Sequence, residues 1–180
     1  MARKTKYDWM MGTMEVLIVH GVDGMTLDAL TKHLGVTKGS FYHHFADMPT
    51  FRKEMLAMCL YESTTHVIER TEVGATPYQK LMVLTELASG IDPLEVAIRA
   101  WALRDPDAQA TLIEIDARRM EYVAKLYRDL GLDDDSAARG SRFYYSAFVG
   151  GLHLMPSLTT PQMLEMFAAL RQLAGIKEDN

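Results

Sequence analysis

The chain has 180 residues, 48% apolar and 24% charged, enough apolar content for one moderate domain or a small one joined to a larger one. Its net charge of −5 is uneven: residues 1–53 carry seven Lys/Arg against five Asp/Glu, whereas residues 54–180 carry twelve against nineteen, which hints at a nucleic-acid-binding end. Apolar runs stay short of the roughly 18 residues that cross a bilayer, Met1-Ala-Arg-Lys-Thr-Lys leads into no signal-peptide core, and Cys59 as the single cysteine excludes a disulfide, so a cytoplasmic protein without membrane partners is expected.

In chain order, prolines punctuate the elements. Thr76-Pro77, Asp92-Pro93, Asp105-Pro106 and Thr160-Pro161 each put a capping side chain before a proline suited to the first helical turn, and Asp47-Met-Pro49 is a looser version. Pro156 reads as a stop. Apolar residues fall at helical spacing, as in Met10, Met14, Leu17 and Ile18, and alternating strand patterns are absent. The pattern predicts an all-α fold with helices at about 5–20, 27–34, 38–45, 48–72, 77–89, 93–104, 106–130, 134–154 and 161–174. Residues 1–47 make a small head, and 48–180 make a larger body.

The head carries the informative motif. Leu27, Leu30 and Leu34 line one face of a short helix that Thr26 can cap, and Gly35 supplies a positive-φ stop. Thr37 can cap the next helix, which Phe41 and Phe45 bury against the first. Two short helices joined through a glycine turn form a helix-turn-helix, whose second helix enters the major groove. With both phenylalanines inward, Lys38, Gly39, Ser40, Tyr42, His43 and His44 face outward. Lys38 can reach a base edge or a phosphate, Ser40 and Tyr42 offer hydroxyls to phosphate oxygens, and the bare backbone of Gly39 permits close approach. On spacing alone, a helical corner with a solvated polar face is an equal reading.

Gly21-Val-Asp-Gly-Met-Thr26 followed by Leu34-Gly-Val-Thr-Lys-Gly-Ser-Phe-Tyr-His-His-Phe45 closely resembles the DNA-binding head of the TetR family of bacterial transcriptional regulators. The resemblance implies that this helix reads an operator and that Thr26, Tyr42 and His44 contact phosphates. Leu94–Pro106, Ile115–Arg119 and Leu130-Gly-Leu132 are more loosely similar to the regulatory domain of one subgroup. Such proteins are homodimers, usually repressors, often released from double-stranded operator DNA by a small molecule. Two positions depart from the family. Met48 stands where a phosphate-binding lysine is common, leaving Arg52 or Lys53 to compensate. Thr31 stands where alanine is usual, and its hydroxyl needs a partner such as the carbonyl four residues back.

The body offers weaker signals. Met82, Trp101, Tyr122 and Tyr145 fall on helices that would enclose an effector cavity, although such residues are more often plain core. Arg99 or Arg119 would serve a carboxylate if not already paired. Tyr144, Phe148, Gly151 and Met155 form a stripe at i, i+4, i+7 and i+11, and Phe167, Leu170 and Leu173 a second one. Together they suggest a four-helix seam between two copies, unless both stripes face their own body. The predicted helix 48–72 belongs to both parts, so a shift beside Trp101 or Tyr122 would reach the head through it.

The alternative class is a helical enzyme or metal protein. Cys59, Glu62 and His66 share one face of the long helix, but a structural zinc site wants four ligands and no second cluster accompanies them. No oxyanion-type loop stands near Cys59 either. The expectation is therefore a regulator with no catalytic residue, metal or cofactor.

Overall fold

The computed structural model describes residues 4–90 and 92–177, all of the elements among them helical. Arg3, one of the head's basic residues, lies outside the described residues. In chain order they are α1 Lys6–His20, a 3-10 turn Val22–Gly24, α2 Leu27–Leu34, α3 Lys38–His44 and α4 Met48–Leu60. A π turn, Tyr61–Thr65, leads into α5 His66–Thr71, then α6 Pro77–Ala88, α7 Pro93–Ala102, α8 Pro106–Asp129, α9 Asp134–His153 and α10 Thr160–Leu173. The all-α expectation holds. The single helix expected at 48–72 is α4 and α5 joined through the π turn, a break in hydrogen-bond register that carries no proline or glycine to announce it.

Helix starts follow capping chemistry. Thr26, Asp47 and Thr76 accept from the backbone N–H groups of Ala29, Thr50 and Gln79 at 3.2, 2.7 and 3.2 Å. Asp105 accepts from Asp107 and Ala108, both at 3.0 Å. Two caps differ from the sequence reading. Thr37 holds the cap position of α3 with an extended backbone, but its side chain makes no capping bond. At α10 the cap is Thr159 rather than Thr160, because Gln162 reaches back to accept the Thr159 N–H at 2.9 Å.

The described chain divides into two compact units, 1–61 with 93–113, and 62–92 with 114–180. In the first, Trp9, Phe41, Phe45 and Phe51 form an aromatic cluster with ring centroids 4.7–6.3 Å apart. Each fully buried ring of this size contributes about 1.5–3 kcal/mol. Phe51, Met55, Leu56 and Cys59 of α4 enter the same core, as do Ile98, Trp101 and Ala102 of α7. Contacts therefore put α4 and α7 in one compact unit with the first three helices.

The second unit packs around Leu81, Leu126, Tyr127, Tyr144 and Phe167, with Tyr144 stacked on Phe167 at 4.4 Å. A Cβ on Gly151 would sit 2.3 Å from Met163 Sδ, so glycine there lets α9 approach α10 of the same chain. Most of the expected seam is covered by the chain itself: Tyr144, Phe148, Gly151 and Phe167 are buried in their own unit. Met155 is 95% exposed and Leu170 half-buried. Besides Met155, the chain leaves open Phe143, 66% exposed, and Leu154, 53% exposed, one residue out of register with the expected stripe.

Candidate nucleic-acid interface and cavity

α2 and α3 meet through Gly35, whose φ of 67° and ψ of 36° are left-handed and suit glycine. Its N–H closes α2 and the Val36 N–H returns to the Thr31 carbonyl at 3.0 Å. The Thr31 hydroxyl donates to Leu27 O at 2.8 Å, the carbonyl four residues back, so threonine fits where a smaller residue would serve. Phe41 and Phe45 then anchor α3 from beneath.

This leaves Thr37, Lys38, Gly39, Tyr42 and His43 exposed on α3, with Ser40 half-buried. Tyr42 is 61% exposed, although its ring packs edge-on to Phe41 at 5.4 Å, which fixes its direction. A Cβ on Gly39 would meet only Thr37 Oγ1, at 3.6 Å. Nothing inside the chain requires glycine there, yet glycine in a helix interior costs about 1 kcal/mol against alanine. Lys38 Nζ pairs with Asp28 Oδ1 at 2.6 Å, which holds its ammonium above the ordinary lysine range. His44 is turned further inward than expected: it is half-buried and its Nε2 donates to the Lys4 carbonyl at 2.9 Å, tying the end of α3 to the segment before α1.

Next to α3, Met48 is partly buried against the aromatic core, so an apolar side chain replaces a cation there for packing. Arg52 lies near Asp105, whose carboxyl is held low first by the Ala108 N–H and also by this guanidinium. Lys53 is exposed on α4.

Of the four residues expected around a cavity, two come together. Tyr122 and Tyr145 line a cavity of ≈ 90 Å³ in the second unit, with Val67, Leu84, Leu87 and Phe148. Met82 instead borders a shallow surface groove with Val73 and Tyr78. Trp101 belongs to the first unit, 1% exposed, and borders a groove with Arg52 and Asp105. Neither lines the cavity: Met82 opens onto a surface groove, and Trp101 belongs to the other unit. Sequence reasoning missed Ser63 and Thr64, which reach the cavity through the unforeseen π turn.

Arg119 closes the polar end of that cavity. Its Nη2 donates to Ser63 O at 2.8 Å, Nε to Thr64 Oγ1 at 3.1 Å and Nη1 to Tyr145 OH at 3.2 Å. Tyr145 in turn donates to Asp116 Oδ1 at 2.7 Å. The guanidinium lies over the Phe148 ring, 5.6 Å from its centroid. Arg99, the other candidate, is in the first unit and pairs with the buried Glu95 at 2.7 Å. Tyr122 donates to Glu72 Oε1 at 3.2 Å and also bonds Thr71.

The face expected for Cys59, Glu62 and His66 does not persist through the π turn. Cys59 is fully buried in the first unit, and His66 is exposed beside Glu69, 3.8 Å away. No cluster of three metal-ligating side chains occurs among the described residues, and no described helix is long and apolar enough to cross a membrane.

Residues 11–55 match the model for bacterial regulatory proteins of the tetR family. No curated protein matches the chain. Among solved structures, a transcriptional regulator of Rhodococcus sp. Rha1 is similar in fold, with a TM-score of 0.76 and 12% identity over 95% of this chain and 96% of the other. A protein described as a transcriptional regulator of Pseudomonas aeruginosa PAO1 gives 0.71 and 14%, over 94% and 90%. One described as a TetR-family transcriptional regulator of Rhodococcus sp. gives 0.68 and 14%, over 96% and 98%.

Proposed function

We propose that this chain, whose residues 11–55 match the model for bacterial regulatory proteins of the tetR family, is a TetR-family bacterial repressor that binds a near-palindromic operator as a homodimer and leaves it when a small molecule enters the body. The observation that carries the DNA-reading part is Gly39: a helix-weakening residue on an exposed polar face, with no demand for it inside the chain. Thr37, whose hydroxyl caps nothing, and the exposed Tyr42 flank it. Lys38 serves a base edge or phosphate once it leaves Asp28. Lys53 supplies the phosphate contact that Met48 does not. Thr26 caps α2 and presents its hydroxyl at the same helix end. In this reading 1–47 is the DNA-binding domain, and 48–180 the ligand-binding and dimerisation domain.

The homodimer reading now rests on the open face of α9 and α10. Phe143, Ala147, Gly150 and Leu154 repeat at i, i+4, i+7 and i+11, and a Cβ on Gly150 would meet nothing within 4 Å. Phe143 also shares a groove with Leu170 and Leu173, the latter 85% exposed. So much exposed apolar surface on neighbouring helices suits a second copy. Two heads would then meet major grooves roughly 34–36 Å apart or a multiple of a helical turn. Phe143→Glu should give a species of the 20.3 kDa chain mass in light scattering, where the unaltered chain gives twice that.

Operator titration by fluorescence anisotropy at several salt concentrations tests the DNA reading. A folded Lys38→Ala/Tyr42→Ala variant should lose affinity, and Lys38→Ala alone should cost about 1–3 kcal/mol and relax one base position if Lys38 reads a guanine. Unchanged affinity in the double variant would overturn the assignment of α3.

A further inference from the structure

The cavity lined by α5, α6, α8 and α9 has a polar end where the Arg119 cation already has carboxylates about it. Arg119 donates to Tyr145, and Tyr145 donates to Asp116, so the cation is relayed onto a carboxylate. Asp92 also lines the space. A ligand carboxylate would add uncompensated negative charge there, and a ligand ammonium would face Arg119. Either burial is costly without a new partner. The remaining lining is mostly apolar: Val67, Ile68, Leu84, Leu87, Val123 and Phe148.

Size adds a second constraint. A dry cavity that holds benzene measures about 150 Å³, whereas this one is ≈ 90 Å³. A one-ring ligand seated wholly inside it has to move a wall. Helices α6, α8 and α9 are held by interlocked side chains, including Tyr144 stacked on Phe167 and bonded to Thr85 at 3.1 Å. The π turn is the other wall. Its Ser63 carbonyl and Thr64 hydroxyl both bond to Arg119, and π turns sit inside α-helices as local, costly departures often tied to function.

Building on the regulator reading above, we propose that this cavity takes a small, neutral, largely apolar molecule with one hydrogen-bond acceptor, which draws Arg119 off Ser63 and Thr64 and so releases the π turn. α4 runs directly into that turn along the backbone, and its Phe51 packs on Phe41 of α3. Register changes in the turn are therefore passed into the helix that supports the reading face.

The test uses the full chain without DNA and four probes of similar size: acetophenone, ethylbenzene, benzoate and benzylamine. Calorimetric titration should rank acetophenone about fivefold tighter than ethylbenzene, the worth of a hydrogen bond to a charged donor less the bond it replaces. It should bind about tenfold or more tighter than either charged probe, which would bury an unpaired charge. Arg119→Met should bring acetophenone and ethylbenzene to equal affinity, and Ala88→Phe, which fills the cavity, should remove binding of both while helix content by circular dichroism is kept. Amide exchange at residues 61–66 should speed up with acetophenone and not with ethylbenzene. Tightest binding of benzoate, no binding of any probe, or binding that survives Ala88→Phe would overturn the proposal. None of these readouts needs an operator, so a chain that binds operator but no probe loses only this inference. One that binds acetophenone but no duplex loses the DNA reading instead.

Discussion

The aromatic cluster beneath α3 and the one around α9 are built from different rings. Trp9, Phe41, Phe45 and Phe51 of the first carry no hydroxyl, and their rings meet mostly edge to face. The second is rich in tyrosine, and its hydroxyls are placed: Tyr144 on Thr85, Tyr145 on Asp116, Tyr122 on Glu72. Burial pushes the Tyr127 hydroxyl up to about 12 and raises the Tyr144 hydroxyl too, against the opposing pull of the Arg171 cation. Hydrocarbon rings need only matching volume, and fill their space into a stiff platform for an exposed reading face. Hydroxyl-bearing rings must reach particular partners, and the second core keeps both a polar end and an unfilled space.

The largest effect that separates the two should come from ring deletion. Phe41→Ala, at a fully buried position, should lower stability by about 3–5 kcal/mol in urea unfolding and abolish operator binding. Phe148→Ala, at the cavity wall, should cost clearly less; equal losses would erase the distinction between a filled and an unfilled core. Gly151→Leu tests the close approach of α9 to α10 and should cost about 1–3 kcal/mol from overpacking, measured the same way. Tyr144→Phe should cost only about 1 kcal/mol, because Thr85 keeps its bond to the Leu81 carbonyl.

Gly39→Ala sharpens the contrast from the other side. It should raise thermal stability by up to about 1 kcal/mol while weakening operator binding, since the site is open within the chain and crowded only by an approaching partner. Acid should treat both regions alike. Asp47 and Asp133 cap α4 and α9, and the backbone N–H groups of Thr50 and Ser136 hold their carboxyls below the ordinary 3.8. A carboxyl depressed on folding stabilises above its unfolded value and loses that contribution as pH falls through the folded one. Urea midpoints should therefore be flat from neutrality to about pH 5 and fall below pH 4.

The fold was legible where local chemistry decides it. Capping side chains, prolines and Gly35 set helix ends within a residue or two, and the outward face of α3 followed from the inward Phe41 and Phe45. The π turn was not legible, because its stretch, Tyr61-Glu-Ser-Thr-Thr65, has no helix breaker and its register depends on a distant Arg119. The expected copy-to-copy stripe shows a related limit. Helical spacing finds a continuous apolar face, but cannot say whether the chain's own α10 or another molecule covers it. Here Met163 against Gly151 answers, and the open face lies one residue along.

The Lys38–Asp28 pair has a consequence for how this head would search along DNA. In the proposed DNA-reading role, its Nζ would reach a duplex with a carboxylate already in hand, 2.6 Å away. A phosphate of arbitrary sequence has to compete with Asp28 instead of merely shedding solution ions, so Lys38 contributes little to the counterion release that drives indiscriminate adhesion. A site that also satisfies Tyr42 and Ser40 can outbid the carboxylate. Random DNA would then be held loosely and left quickly, with discrimination arising from an acid that never touches the nucleic acid.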